Sequence, residues 1–165
     1  MSESVAVSEN ISLHISRVIK AKRSQVFDSW IKPELLMRWF GPGQMLPTEV
    51  VMDARQDGEF RFVIEGNSPR TGQPMSITFT GVFREFVDGE RLGFDWTVAG
   101  DPGDPTYVTV KFRDVAEGTE VTLTQQRIPN ADVYNRNQMG WSMMLEKLAG
   151  VSEMALRSEA ENKRS

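Results

Sequence analysis

The sequence of 165 residues predicts an α+β fold in which one curved antiparallel sheet of about seven strands wraps around a long C-terminal helix. Three observations support this prediction. Apolar residues recur at every second position in about seven short segments between residues 11 and 127, as in half-buried strands. The links between the last six segments are short, which favours antiparallel neighbours. Helical spacing of apolar residues extends over a long stretch only after residue 130.

The first third of the chain contains one strand and two short helices. Apolar and polar residues alternate over residues 11–16, which predicts the first strand. Ser24 is a suitable N-cap for a short helix, and Pro33 can begin a second helix that continues to Phe40. The Gly-Pro-Gly sequence at residues 41–43 is expected to end that helix.

The middle of the chain is predicted to be β structure throughout, arranged as three hairpins. The six strands are expected at residues 49–54, 60–64, 77–83, 92–96, 108–112 and 121–123. Turn sequences Gln56-Asp57-Gly58, Asp88-Gly89-Glu90 and Glu117-Gly118 separate the members of each pair. Because a meander pairs successive strands, each of these strands should lie antiparallel to the next.

The last element is predicted to be an amphipathic helix of roughly seven turns, with Asn130 as its cap. Its apolar face consists of Trp141, Met144, Leu145, Leu148, Val151 and Ala155, together with Ser152. Residues 1–10 and 157–165 carry no apolar stripe and are expected to be disordered tails. The domain is therefore predicted to span residues 11–156.

Composition excludes several classes of function. The chain contains no Cys, so it has no thiol nucleophile and no thiolate metal site. Its formal net charge of −4 argues against nucleic acid and anionic membranes as partners. No apolar run reaches the about 18 residues that membrane insertion requires. Residues 1–10 contain no Lys or Arg and do not resemble a secretory signal, so we expect a cytoplasmic protein.

The sequence offers few candidates for catalysis. His14 is the single histidine, and its parity is opposite to that of Leu13, which predicts that it lies on the outer face of the first strand. The carboxylates between Asp53 and Glu65 lack the spacing of a known metal site. Arg17 has the inward parity, which fits either contact with an anion or a pair with an acid, and we expect the pair because buried charges are normally matched. We therefore predict no catalytic residue, no metal and no cofactor.

Eight short motifs occur in a characteristic order along the chain. They are Arg17–Ala21, Val26–Trp30, Arg38–Pro42, Asp57–Phe62, Gly81–Glu85, Glu90–Leu92, Gly118–Leu123 and Gly140–Trp141. In this order they resemble the signatures of the heat-shock protein 90 ATPase activator homologue family, a branch of the SRPBCC (START-like) superfamily. The resemblance covers about residues 11–155. It implies the helix-grip fold, also called START-like or Bet v-like, in which a curved sheet and a C-terminal helix enclose a cavity.

The resemblance also directs attention to the aromatic residues that face the helix. Most of them are expected to form ordinary core. The residues expected to line a ligand cavity are Trp39, Phe40, Trp141 and Met144 near its mouth, Phe83, Phe94 and Trp96 deeper inside, Tyr107 and Gln125 as polar contacts, and also Leu145. Gly140, inside the helix, indicates either close packing or room for a ligand.

Three functions are compatible with these features. The favoured one is non-enzymatic binding of a small hydrophobic or amphipathic molecule, in a stress-response or regulatory context, by a monomer or homodimer. The second is a chaperone-interacting module like the activators of heat-shock protein 90. The third is a cyclase or hydrolase that acts through the shape of its pocket.

Overall fold

The computed structural model describes residues 11–101 and 103–164 and confirms the predicted α+β, helix-grip fold. Its elements are β1 (Ile11–Ile19), α1 (Arg23–Ile31), α2 (Pro33–Leu36), β2 (Leu46–Met52), β3 (Glu59–Asn67), β4 (Pro74–Val87), β5 (Arg91–Val98), β6 (Thr106–Val115), β7 (Gly118–Ile128) and α3 (Ala131–Arg164). The predicted N-terminal tail, residues 1–10, lies outside the described residues.

The seven strands form one antiparallel sheet in the order β1-β7-β6-β5-β4-β3-β2. The three predicted hairpins are confirmed as the pairs β2–β3, β4–β5 and β6–β7. β1 pairs with β7, so the first and last strands of the chain are neighbours. Asp57 has a φ of 67°, the left-handed conformation that the tight turn between β2 and β3 requires.

The inner face of the sheet carries a continuous layer of aromatic side chains. The rings of Phe79 and Trp96 stack with centroids 4.7 Å apart, and those of Phe60 and Phe62 with centroids 4.9 Å apart. Phe40, which follows α2, meets Phe62, Phe79 and Trp96 from the opposite side at 5.3–5.8 Å. These contacts confirm that most inward aromatic residues form the hydrophobic core.

α1 begins earlier than the sequence predicts. Its N-cap is Lys22, which has extended backbone angles, and not Ser24. The hydroxyl of Thr119 donates to the carbonyl of Ala21 at 2.9 Å, and this contact fixes the chain at the end of β1. The helix therefore begins immediately after this anchored residue, and the preference of serine for a cap is overridden by the tertiary contact.

α2 ends at Leu36, four residues before its predicted end at Phe40. The amides of Trp39 and Phe40 still bond to the Leu36 carbonyl, at 3.3 and 3.1 Å, in a closing turn. The indole of Trp39 donates to the Ser29 carbonyl at 3.0 Å, and Gly41 has a φ of 133° that no right-handed helix contains. The hydrogen bond of the Trp39 indole and the backbone conformation of Gly41 together turn the chain out of helical geometry.

α3 begins as predicted, because the side chain of Asn130 accepts a hydrogen bond from the amide of Val133 at 2.9 Å. Its end differs from the prediction, because the helix continues to Arg164, past the expected domain limit at residue 156. The added segment is rich in Glu, Ala, Lys and Arg, which extend an existing helix readily. Within residues 11–101 and 103–164, no helix has the length and apolarity needed to span a bilayer.

Two predictions for β1 have opposite outcomes. His14 is exposed on the outer face, where its Nδ1 lies 3.2 Å from the hydroxyl of Thr124, so the prediction is confirmed. Arg17 is exposed, so the expected buried ion pair is wrong. β1 is an edge strand, and a long arginine side chain on an edge can place its charged end in water.

Candidate functional site

An open cleft lies between the N-terminal half of α3 and the ends of β4 and β5. It has two parts, of about 460 and 260 Å³, which we call the larger and the smaller compartment. Both are lined by Trp96, Val98, Asp101, Arg136 and Asn137, so they are adjoining parts of one cleft. The larger compartment lies within the roughly 300–1,000 Å³ that sites for small molecules occupy, and the smaller compartment lies slightly below that range.

A buried polar network lies at the base of the cleft and centres on Gln125. The side-chain amide of Gln125 donates to the Thr106 hydroxyl at 2.9 Å, and that hydroxyl donates to the Trp96 carbonyl at 3.2 Å. The carbonyl oxygen of Gln125 accepts from the indole of Trp141 at 2.9 Å and from the amide of Asn137 at 3.3 Å. Gln125 is fully buried, so its polar atoms need these partners.

Gly140 resolves the choice between close packing and open room. A Cβ atom added to it would meet no heavy atom within 4 Å, and the residue lines the smaller compartment. Glycine in a helix costs about 1 kcal/mol relative to alanine. In this helix the glycine leaves open space in the smaller compartment, and no neighbouring backbone packs closely against it.

Lys147 of α3 forms hydrogen bonds to the Gly-Pro-Gly loop, which forms one wall of the cleft. Its ammonium donates to the carbonyl oxygens of Gly41, Gly43 and Met45 at 2.6, 3.0 and 3.0 Å. Pro42, in the same loop, lines the smaller compartment. Burial lowers the pKa of Lys147 below the ordinary value for lysine. The three carbonyls replace the water that the ammonium loses, so this wall is held at a fixed distance from the helix.

The residues expected to line a cavity fall into two groups. Trp96, Gln125, Trp141 and Met144 line the cleft. Phe40, Phe83 and Phe94 instead surround a separate space of about 10 Å³, and Trp39 and Leu145 are core residues with 0 and 1% of their surface exposed. A space of that size holds about one water molecule, so no ligand fits there. The interior between sheet and helix is therefore packed, and the open volume lies at its end.

Tyr107 does not contact the cleft, and the expectation that it supplies an inward polar contact is wrong. It pairs with Asp95 on the outer face, because Val108 and Val110 occupy the inward positions of β6. Its hydroxyl lies over Gly93, where a side chain would clash with it. Burial, followed by the nearby carboxylates of Glu85 and Asp95, raises the pKa of Tyr107.

Most residues that line the cleft were not among the predicted site residues, and four of them take part in its polar contacts: Thr106, Asn137, Asp101 and Arg136. Simple spacing identifies two of them. Thr106 has the inward parity of Val108, and Asn137 lies one helical turn before Trp141. The other two join the helix to the loop after β5, where Arg136 Nη2 lies 2.7 Å from Asp101 Oδ2. Sequence alone carries no signal for that pair.

The acids considered as metal ligands remain dispersed. Within the described residues, no group of three or more His, Asp or Glu side chains is placed to hold a metal ion. Asp53 instead pairs with Arg55 at 2.9 Å on the surface. The chemistry of the cleft itself consists of neutral amides and hydroxyls at its base, apolar walls, and charged residues at its opening.

Comparison with known proteins agrees with this architecture. A protein from Chromobacterium violaceum has a solved structure with a TM-score of 0.75 and 25% identity, covering 88% of this chain and 99% of that one. The solution structure of an AHSA1-like protein from Aeromonas hydrophila has a TM-score of 0.69 and 22% identity, covering 88% and 94%. The AHSA1 protein from Silicibacter pomeroyi has a TM-score of 0.73 and 20% identity, covering 89% and 99%.

The last two likenesses establish the fold alone. The curated proteins contain no match to the chain. The model of the family described as activator of Hsp90 ATPase homolog 1-like protein matches residues 20–153, most of the chain. This match agrees with the order of motifs in the sequence and with the seven-stranded sheet that packs on α3. The chain therefore belongs to the family of activator of Hsp90 ATPase homologue 1-like proteins.

Proposed function

We propose that this protein binds a small hydrophobic or amphipathic molecule in the cleft beside α3, without catalysing a reaction, in a stress-response or regulatory context in the cytoplasm. One observation carries the proposal. The cleft is open above Gly140 and has a fully buried, hydrogen-bonded Gln125 at its base. Open apolar volume with a few fixed polar groups is the usual form of a small-molecule site.

The walls of the smaller compartment favour an apolar body. Ile77, Phe79 and Val98 form its sheet side, and Met144 approaches from the helix. Met75, exposed over 42% of its surface, lies at the opening. Methionine side chains adjust to ligands of different shape, because they are unbranched and polarizable. Such walls support binding of apolar molecules of varied outline.

The polar groups at the base favour binding over catalysis. Gln125, Thr106 and Asn137 are neutral and already bonded to one another or to Trp141. Neutral amides and hydroxyls orient a ligand through hydrogen bonds, whereas general acid–base catalysis needs a group that changes protonation near the working pH. Tyr107, the other polar residue expected inside, lies on the outer face. These features support a binding role.

Two glycine substitutions in α3 test the proposal. Gly140→Leu fills the cleft, whereas Gly150→Leu adds the same side chain at an exposed helical position that also has no neighbour within 4 Å. Both variants should fold, because leucine has a higher helix propensity than glycine. Native mass spectrometry of protein purified from its host, and thermal shift with a panel of apolar compounds, measure binding.

We expect wild type and Gly150→Leu to retain a ligand or to show a rise in Tm with at least one compound class. Gly140→Leu should lose both signals. The proposal is overturned by the absence of any bound mass or thermal shift in the wild type, or by unchanged binding in Gly140→Leu.

A chaperone-interacting module is the second candidate, and the family match by its description favours it. Such a role would use the outside of the domain. Affinity capture with the cell's own Hsp90-type chaperone, followed by measurement of the chaperone's ATPase rate, tests it. Specific enrichment with a change in ATPase rate would support this alternative. An unchanged rate without enrichment would exclude it.

A further inference from the structure

The smaller compartment of the cleft combines apolar walls with an excess of positive charge at its opening. Arg70 and Arg136 line it, and among the described residues around it the single acid is Asp101. Arg70 and Arg136 also line a common surface groove together with Asp132, which, like Asp104, lines the larger compartment. An apolar space lined by two guanidinium groups is complementary to an amphipathic acid, which has an apolar chain and an anionic carboxylate.

Arg136 presents a guanidinium that is accessible from the cleft. Its Nη2 lies 2.7 Å from Asp101 Oδ2, and 44% of the arginine side chain and 35% of the aspartate side chain are exposed. An ion pair at such exposure contributes little to stability, because water screens it. A guanidinium has five N–H donors and binds a carboxylate through two parallel hydrogen bonds. A second carboxylate can therefore compete with Asp101 for Arg136 at small cost.

Asp101 lies in a loop whose structure allows its carboxylate to give up Arg136 to another carboxylate. It lies in the loop between β5 and β6, next to Gly100, which has a φ of 93° and no neighbour within 4 Å of an added Cβ atom. The loop is attached to the sheet through the bond from the Asp101 amide to the Val98 carbonyl at 3.0 Å. The backbone of Asp101 is thus anchored, and its carboxylate pairs with Arg136 of α3.

We infer that the ligand of the smaller compartment is an amphipathic carboxylic acid, whose carboxylate pairs with Arg136 and Arg70 and whose apolar chain lies along Phe79, Val98 and Met144. This inference rests on the proposed function, that the cleft binds a small molecule. In the structure Asp101 occupies the position on Arg136 that the ligand carboxylate would take. Ligand binding exchanges one carboxylate for the other and leaves Asp101 in water.

The two partners of the ion pair make the inference testable, because their removal has opposite effects. Octanoate and its uncharged counterpart octanamide are the probes, and isothermal titration calorimetry measures their Kd. Arg136→Gln removes the anion receptor and should weaken octanoate about tenfold. Asp101→Asn removes the competitor and should strengthen octanoate several-fold. Neither change should alter the Kd of octanamide by more than about twofold.

A purely structural ion pair would give the same sign for both variants, since each breaks the pair. Arg113→Gln is the matched control, because it breaks the exposed Arg113–Glu120 pair of β6 and β7, which is remote from the cleft. Octanamide bound as tightly as octanoate, or two variants with effects of the same sign, would overturn the inference and leave the proposed function standing. Binding of neither probe to the wild type would count against both.

Discussion

Lys147 in α3 donates a hydrogen bond of 2.6 Å to the carbonyl oxygen of Gly41, a residue that follows α2. The same ammonium serves the carbonyls of Gly43 and Met45. The ammonium thus supplies a donor to three backbone carbonyl groups of the loop between α2 and β2. This contact joins the Gly-Pro-Gly segment to the last helix and sets one wall of the cleft.

Replacement of Lys147 by methionine should destabilise the protein. The apolar side chain keeps the length of lysine but leaves the three carbonyl oxygens without their donor, which costs about 1–3 kcal/mol in the free energy of unfolding. Urea denaturation followed by Trp fluorescence measures the change. Lys111→Met, at an exposed position of β6, is the control. Equal stability of the two variants would show that the carbonyls need no ammonium.

The Gln125 network should be sensitive to loss of its central amide. Gln125→Met preserves volume but leaves the Trp141 indole without its acceptor and removes the donor to the Thr106 hydroxyl, which keeps only its bond to the Trp96 carbonyl. We expect a loss of about 1–3 kcal/mol in the free energy of unfolding. The same substitution at Gln126, which is exposed on β7, should change stability by less than about 0.5 kcal/mol. Equal losses of unfolding free energy in the two variants would show that the hydrogen bonds of Gln125 do not stabilise the protein.

Phe40 should behave as a core residue and not as a ligand contact. Its ring meets those of Phe62, Phe79, Trp96 and Trp141 at 5.3–6.1 Å. Phe40→Ala should therefore lower the free energy of unfolding by about 3–5 kcal/mol. Met37→Ala, which truncates an exposed side chain near α2, should cost far less. A near-neutral Phe40→Ala would indicate that the interior around this ring is not packed.

Tyr107 should make stability depend on pH in the alkaline range. Because burial and the carboxylates of Glu85 and Asp95 raise its pKa, the phenol stays protonated in the folded protein at a pH at which it ionises in the unfolded chain. Its contribution is present below about pH 10 and is lost as the pH rises through the raised pKa. The wild type should thus lose more stability than Tyr107→Phe between about pH 9 and about pH 11.5.

Urea denaturation at both pH values provides the measurement for Tyr107. Tyr134→Phe, in α3, makes the same chemical change at another site and corrects for the general effect of alkali. Parallel pH dependences for wild type and Tyr107→Phe would refute the prediction.

Alternation and turn chemistry identify the sheet well, because both act locally. The pairing of β4 with β5 follows from the Asp88-Gly89-Glu90 turn between them, whereas the pairing of Phe83 with Phe94 depends on a register shift between Phe83 and Glu85. The end of α2 could not be predicted in the same way. There the indole of Trp39 bonds to Ser29 and Lys147 bonds to the following loop, and both contacts join residues that local patterns do not relate.

The candidate site was predictable only where it lies on regular elements. Gln125, Trp141 and Met144 follow from parity and helical spacing. The Arg136–Asp101 contact joins a helix to an irregular loop, and its geometry depends on the folded backbone. The packing of Phe83 and Phe94 around a space of only about 10 Å³ depends on how closely α2 approaches the sheet, which no residue pattern encodes.

The pairing of β1 with β7 has a consequence for synthesis of the chain. Leu13 lies opposite Gln125, and Ile19 lies opposite Thr119, so the first strand pairs with β7 when most of the polypeptide has left the ribosome. Contacts between residues so distant in sequence form slowly. The nascent N-terminal segment therefore exposes an unpaired strand until β7 emerges, and a factor that shields this edge should raise the yield of folded protein.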